Sequence, residues 1–305
     1  MRSCRLGETG AERHLLIAIS WKIASVMSFS DFFRRFRRKR TVVPVVRLSG
    51  AIGISAPLRP GLSLVGVEAS LERAFGMKSA PAVAILINSP GGAAVQSHLI
   101  HKRIRALAAE KQKRVIVAVE DVAASGGYLL AIAGDEIIVD RSSIVGSIGV
   151  ISASFGFPKL LDRIGVERRV HTAGRSKSML DPFQPEKDED VSRLRALQEE
   201  IHAAFIDLVK ARRGASLADD PDLFTGAFWS GGRAVALGLA DRVGELREVL
   251  KERFGDDVVL KTIGGERSFW RRRLGIAGTE RLAASLLGSL LNLIEERLLW
   301  SRFGL

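Results

Sequence analysis

The chain has 305 residues, 47% hydrophobic and 6% aromatic, with a net charge of +12 and a single cysteine, Cys4. That length suits one large domain or two small ones. So few aromatics argue against a module that stacks bases, and one cysteine excludes an internal disulfide and a cysteine-based metal site and fits a reducing compartment. The charge is concentrated at the ends: residues 1–40 hold ten Lys or Arg against three acids, residues 267–305 seven Arg against three acids, and the stretch between is nearly neutral. Basic tails on a neutral core point to an anionic membrane surface or extended arms, and away from nucleic acid.

In chain order, residues 14–26 form a short apolar run broken by Lys22, below the ~20 residues a spanning helix needs. No clean cleavage site follows it, and Met27 offers a second start. From Ser30, the phenylalanines Phe29, Phe32, Phe33 and Phe36 share a helical face among six Lys or Arg between 34 and 40, the pattern of an interfacial helix or a basic arm. The folded core opens with a strand at 42–48, in which Pro44 marks an edge or bulge. A helix follows at 65–77, then an almost continuously apolar strand at 82–88, as in a sheet covered on both faces. Ser89-Pro90-Gly91-Gly92 breaks that strand and precedes a helix at 94–109. A buried strand at 114–119 leads through Asp121–Tyr128 into a small-residue helix at 129–133. Strands are predicted at 136–140, 144–151 and 167–172, a long polar loop at 173–185, and a charged helix at 186–213. Short helices near 233–238 and 245–254 precede a last strand at 258–262. The alternation predicts βαβ units. The tail from Arg271 continues as an amphipathic helix over 279–300, whose leucine face suits the domain, a second copy or a membrane.

Ser125 stands at a strand-to-helix junction, where N–H groups are unpaired and the helix dipole is positive. This suits a nucleophile beside an oxyanion hole, and equally a glycine-rich helix start. Gly126 follows it directly, and Gly91 or Gly92 lies at the carboxyl edge of the sheet, where α/β sites form. A serine nucleophile needs a base. Of His14, His98, His101, His171 and His202, only His171, at a predicted strand end, is placed as a triad histidine. The 173–185 loop offers Lys177 instead. A lysine acts as a base only when its pKa falls from ~10.4 to near ~7–8 through burial or neighbouring positive charge. Glu120, Asp121 and Asp135 read as turn and cap residues.

Taken together, Glu120–Tyr128, Ser143–Ile151 and Ile87–Gly92 resemble the signal peptide peptidase A family of Ser–Lys proteases, over about residues 42–262. The last segment is also similar to the oxyanion segment of Clp-type proteases. The resemblance implies that Ser125 is the nucleophile and Lys177, 52 residues on, the general base. Ser147 would orient the lysine, and Gly126 with Gly91 or Gly92 would form the oxyanion hole. Ile148, Gly149, Val150 and Ile151 would pair with an extended peptide and present it to apolar pockets. Where Clp-type proteases place a histidine, around Val150, this chain has none.

The fold implied is α/β, crotonase/Clp protease-like repeated ββα units with a C-terminal helical extension. It divides into a basic arm at 1–41, the protease domain at 42–265, and a basic linker with its amphipathic helix at 266–305. No cofactor and no metal are expected. The partners implied are hydrophobic peptides such as cleaved signal sequences, copies of the same chain in a ring with sites near subunit interfaces, and a membrane surface. The expected location is a bacterial-type inner membrane, otherwise the cytoplasm. A non-catalytic membrane-associated scaffold and a crotonase-type acyl-CoA enzyme are the alternatives on the same fold.

Overall fold

The computed structural model describes residues 40–54, 61–264, 294 and 296–305. Apolar runs rich in valine and isoleucine form the middle strands of one sheet: β1 (Val42–Ser49), β2 (Ala82–Ser89) and β3 (Arg114–Ala124). They pair in parallel. Parallel neighbours need a crossover, supplied by helices α1 (Leu64–Phe75) between β1 and β2 and α2 (Ala94–Lys111) between β2 and β3. The sheet adds β4 (Glu136–Val139), β5 (Ile144–Gly146), β6 (Phe228–Ser230), β7 (Arg242–Val243) and β8 (Val259–Ile263). Its main path runs β6-β5-β3-β2-β1-β8, with β4 between β3 and β7. Among the described residues only β5 and β6 pair antiparallel.

β1 is flanked by both β2 and β8, so it is not an edge strand. Pro44 is tolerated because the pairing with β2 begins one residue later, at Val45, leaving β8 as its only partner there.

β3 is longer than the apolar run 114–119 suggested because it changes partner. Ile116–Val119 pair with β4, and Val122–Ala124 pair with β5. Between them the register against β2 jumps, with Ile87 opposite Val119 and Ser89 opposite Ala123. The extra residues form a bulge. Asn88 fills it: its amide nitrogen donates to Asp121 Oδ2 at 2.6 Å, and its Oδ1 accepts the Val122 N–H at 3.3 Å. The bulge re-aims the end of β3 and so points Ser125 out of the sheet.

Alternate residues of the strands feed two cores. One face, with Val83, Ile85, Ile87, Val115 and Val117, packs under α1, α2, α3 (Gly126–Ala131) and the C-terminal half of α5 (Asp188–Arg213). The other face is built partly of alanines, Ala82, Ala84 and Ala118, and closes against Leu246, Val249 and Leu250 of α7 (Leu246–Phe254). The period of two in β2 sorts the larger side chains to the thicker helix layer. Beyond α7, Phe303 covers Val122, Ala124 and Ile144, with its ring 5.1 Å from Phe228 and edge-on. The end of the predicted 279–300 helix is thus helical up to Trp300 and anchored on the domain. The rest of that helix and residues 1–39 of the predicted arm at 1–41 lie outside the described residues.

The region 149–204 departs most from expectation. The strand expected over 144–151 stops at Gly146, and no strand forms at 167–172. Val166 and Val170 have strand-forming side chains, but both are exposed and no ladder lies beside them. A strand needs a partner more than a propensity. Instead the segment holds a short helix, α4 (Pro158–Arg163), and turns, tied by Arg168–Asp181 at 2.9 Å and by the rings of Phe157 and Phe183 5.7 Å apart. It returns through the N-terminal half of α5. α6 (Gly231–Ala236) then follows β6.

Candidate active site

Ser125 has φ +53° and ψ −121°, backbone angles rarely adopted by a residue with a side chain. Such a conformation costs about 1–3 kcal/mol and persists only where its surroundings enforce it. They do so here from both sides. The Ser125 N–H donates to Gly146 O at 2.8 Å, and its carbonyl accepts the Leu129 N–H at 3.0 Å as the first turn of α3. The far end of α3 is clamped by three helices or loops. Tyr128 Oη donates to Leu239 O at 3.0 Å, His101 Nδ1–H to Leu129 O at 2.9 Å, and Arg212 Nε to Ile132 O at 2.8 Å. Cationic donors at the last carbonyls of a helix also suit its dipole. Burial lowers the His101 pKa to about 4; the Leu129 bond opposes the shift, and positive charge on Arg212, His98 and Arg105 adds to it. Burial likewise pushes the Tyr128 phenol up.

Two glycines are required by space. A Cβ on Gly91 would lie 2.8 Å from the Ser125 Cβ and 3.0 Å from the Gly126 nitrogen, and Gly91 has φ +103°. A Cβ on Gly126 would lie 2.3 Å from Ser97 Oγ. The Ser-Pro-Gly-Gly loop therefore touches the serine directly. The Gly91 N–H is occupied, donating to Ser89 Oγ at 3.3 Å, and Ser89 Oγ donates in turn to Gly50 O at 2.8 Å. The N–H groups of Gly92 and Gly126 have no acceptor among the described residues. Gly92 is held by β-bridge pairing with Ile52, through Ile52 N–H to Gly91 O and Ala93 N–H to Ile52 O, each 2.8 Å.

Ser147 lies next to the carbonyl that holds Ser125. It is 6% exposed, shares the left-handed φ of +53°, and donates its N–H to Ala227 O at 2.7 Å. Beyond it Ile148 is buried, with its carbonyl accepting from His202 Nε2–H at 3.0 Å. Gly149 and Val150 are half-buried and Ile151 is exposed. Gly91, Gly92, Ser125, Gly126 and Ser147 are thus gathered at the carboxyl ends of β2, β3 and β5. Lys177 is not gathered with them. It lies exposed in the turns of the 149–204 arm, and its amine makes no hydrogen bond or ion pair among the described residues. His171 is exposed in the same arm, and the predicted strand that would have placed it is absent.

Sequence reasoning passed over Asn88, Ser89, Ser97 and His202, which support the serine and its neighbours. Asn88 had a readable signal: it is a polar residue closing an apolar strand. His202 had none, because its partner is a backbone atom 54 residues away. Among the described residues no three His, Cys, Asp or Glu are placed to hold a metal ion.

A left-handed serine between a glycine loop and a helix start, on a parallel sheet, defines a Clp-protease-like α/β hydrolytic fold, and residues 15–165 match the model of the ClpP-like SDH-type serine proteinases. Residues 108–256 match peptidase family S49. A Synechocystis sp. protein designated a protease is 31% identical over 234 residues, covering 75% of this chain and 82% of that protein. The chloroplastic serine protease SPPA of Arabidopsis thaliana is 30% identical over 216 residues, covering 69% of this chain and 32% of that one. The chain belongs to peptidase family S49, the signal peptide peptidase A family of serine-type peptidases. It is also 59% identical over 280 residues, 89% of its length, to a Brucella abortus protein named Na(+)/H(+) antiporter NhaA, and spans only 38% of that protein.

Proposed function

We propose that the chain is an endopeptidase working through a Ser–Lys dyad on hydrophobic peptides. The observation that carries the reading is the left-handed Ser125 with Gly91 packed against it and the N–H groups of Gly92 and Gly126 unpaired. In this reading neutral Lys177 takes the Ser125 hydroxyl proton as Oγ attacks the peptide carbonyl. The negative oxygen is held by the Gly126 N–H and by an N–H of the Gly91-Gly92 pair, of which Gly92 is the unoccupied one. Each such donor contributes about 3–4 kcal/mol to the barrier reduction. The C–N bond breaks, Lys177 returns the proton to the departing amine, and water hydrolyses the acyl-enzyme. Ser147 orients the lysine amine, and Gly149–Ile151 pair with the peptide backbone.

The exposure of Lys177 supports a reading in which the base reaches a serine only in a ring of copies, with the arm lying against a neighbour. Large apolar side chains exposed along that arm favour the same assembly: Phe155, Leu160, Ile164 and Val166 are each more than half exposed. A membrane-side location is supported by the basic termini and by a relative in which the matching stretch lies within a longer protein named an antiporter. Among the described residues no helix is long and apolar enough to cross a membrane. Spent signal sequences are the apolar peptides such a location would supply.

The deciding experiment is labelling by a serine-directed fluorophosphonate together with hydrolysis of an apolar peptide ester. Wild type should label and turn over, whereas Ser125→Ala and Lys177→Ala should do neither. Wild-type turnover in both variants would sink the reading. Turnover of a CoA thioester that survives Ser125→Ala would favour an acyl-CoA enzyme instead.

A further inference from the structure

The 149–204 arm has two attachment points, and one hydrogen bond joins them. No residue from Gly149 to Ala204 is buried, whereas Ile148 before it and Phe205 after it are both buried. The chain therefore leaves the domain at Ile148 and returns at the turn of α5 that begins with His202. His202 stands on the face of α5 that continues through Phe205, Val209 and Arg213, the three residues the helix buries. Its Nε2–H donates to Ile148 O at 3.0 Å. At the same exit a Cβ on Gly149 would lie 3.1 Å from the Gly226 Cα, so the outgoing chain is also confined sideways.

We infer that His202 is a positioning residue: its hydrogen bond to the Ile148 carbonyl clasps the outgoing and returning ends of the arm. The clasp fixes the left-handed Ser147 and the segment Gly149–Ile151 beside it, and it sets the direction in which the arm carries Lys177. The role rests on the peptidase reading above for its catalytic consequence, but the clasp itself does not. A carbonyl committed to His202 also means that Ile148 contributes its side chain to the core, and that backbone pairing with a peptide starts at Gly149.

The test uses the full chain in its assembled form, with His202→Leu, which removes the donor at similar volume, and His202→Gln, whose amide places an N–H near the position of Nε2. In hydrogen exchange, the amides of residues 147–151 should exchange about tenfold faster in the leucine variant, the effect of losing one such bond. β2 and α2 should be unchanged, and the glutamine variant should match wild type. In peptide-ester turnover, the leucine variant should lose about tenfold in kcat with a smaller change in KM, and glutamine should restore it to within about threefold. Unchanged exchange at 147–151, or an equal rise across β2 and α2, overturns the clasp. Ser125→Ala run alongside separates the two ideas: if it retains turnover the peptidase reading fails, while the exchange comparison still decides the role of His202.

Discussion

Almost every residue that bears on Ser125 is buried, whereas no residue between Gly149 and Ala204 is. The two regions are built on different terms. Around the serine, a bulge filled by Asn88, a glycine loop in contact with the nucleophile, and a helix clamped at its far end enforce a strained backbone within one chain. Strain of this kind needs a packed surround that cannot relax. The arm has only local ties, such as Arg168–Asp181 and the Phe157–Phe183 contact, and leaves its apolar side chains to solvent. In the proposed reading, the nucleophile is prepared within one chain, and the base that would serve it is carried on an exposed surface.

The largest expected difference between the regions is catalytic. Ser125→Ala should lower kcat by at least about 10³-fold with no change in assembly, since the serine only acts on bonds and supports none outside its own backbone. Lys177→Ala should match it in rate; a Lys177→Ala enzyme with near wild-type kcat would break the pairing of the two regions.

Next comes acid sensitivity, which belongs to the serine side. His101 is held neutral, with its pKa lowered from 6.5 to about 4 by burial. Between those values the unfolded chain binds a proton that the folded one does not. Stability should therefore be level above about pH 6.5, fall as the pH drops towards 4, and level off below. The full drop is on the order of 3 kcal/mol. Urea midpoints across that range should show it, and His101→Asn, which keeps an N–H for the Leu129 carbonyl, should flatten it. A slope that persists in the variant would remove His101 as its source.

Gly91→Ala places a methyl group against Ser125 at a positive φ. The Ser89–Gly92 loop must then shift, and, in the proposed reading, kcat should fall about 10²-fold, the scale of one lost oxyanion donor. Phosphonate labelling should slow in step.

Ile164→Asp, on the arm, should change the stability of the isolated subunit by no more than ~0.5 kcal/mol, because Ile164 is more than half exposed. Sedimentation should nevertheless show loss of assembly, and turnover should fall with it. A variant that assembles normally would mean that the exposed apolar side chains are not the contact.

Much of this was legible in the sequence, for reasons that can be named. Val and Ile runs at 82–88 and 114–119 are strands because a sheet covered on both faces wants them. Gly91, Gly126 and the serine between them could be read as a reactive turn because glycine reports where backbones meet. Those signals are local in the chain. The apolar run at 144–151 and the valines at 166 and 170 were equally local and misled beyond Gly146, where no strand lies beside them to complete a ladder. Pro44 suggested an edge or a bulge, yet β2 and β8 flank the strand on both sides, and the proline is tolerated because pairing with β2 starts one residue later.

By itself the sequence determined the middle strands of the core with the helices that cross between them, and the family through its ordered glycine and serine motifs. Tertiary structure alone decided where β3 changes partner, which glycine N–H stays unpaired, and that the arm leaves at Ile148 and is clasped by His202. The physical reason is range. Propensity and periodicity act over a few residues. A hydrogen bond between a side chain and a backbone carbonyl 54 residues away leaves no periodic trace in the chain, and whether a lysine meets a serine depends on how surfaces pack.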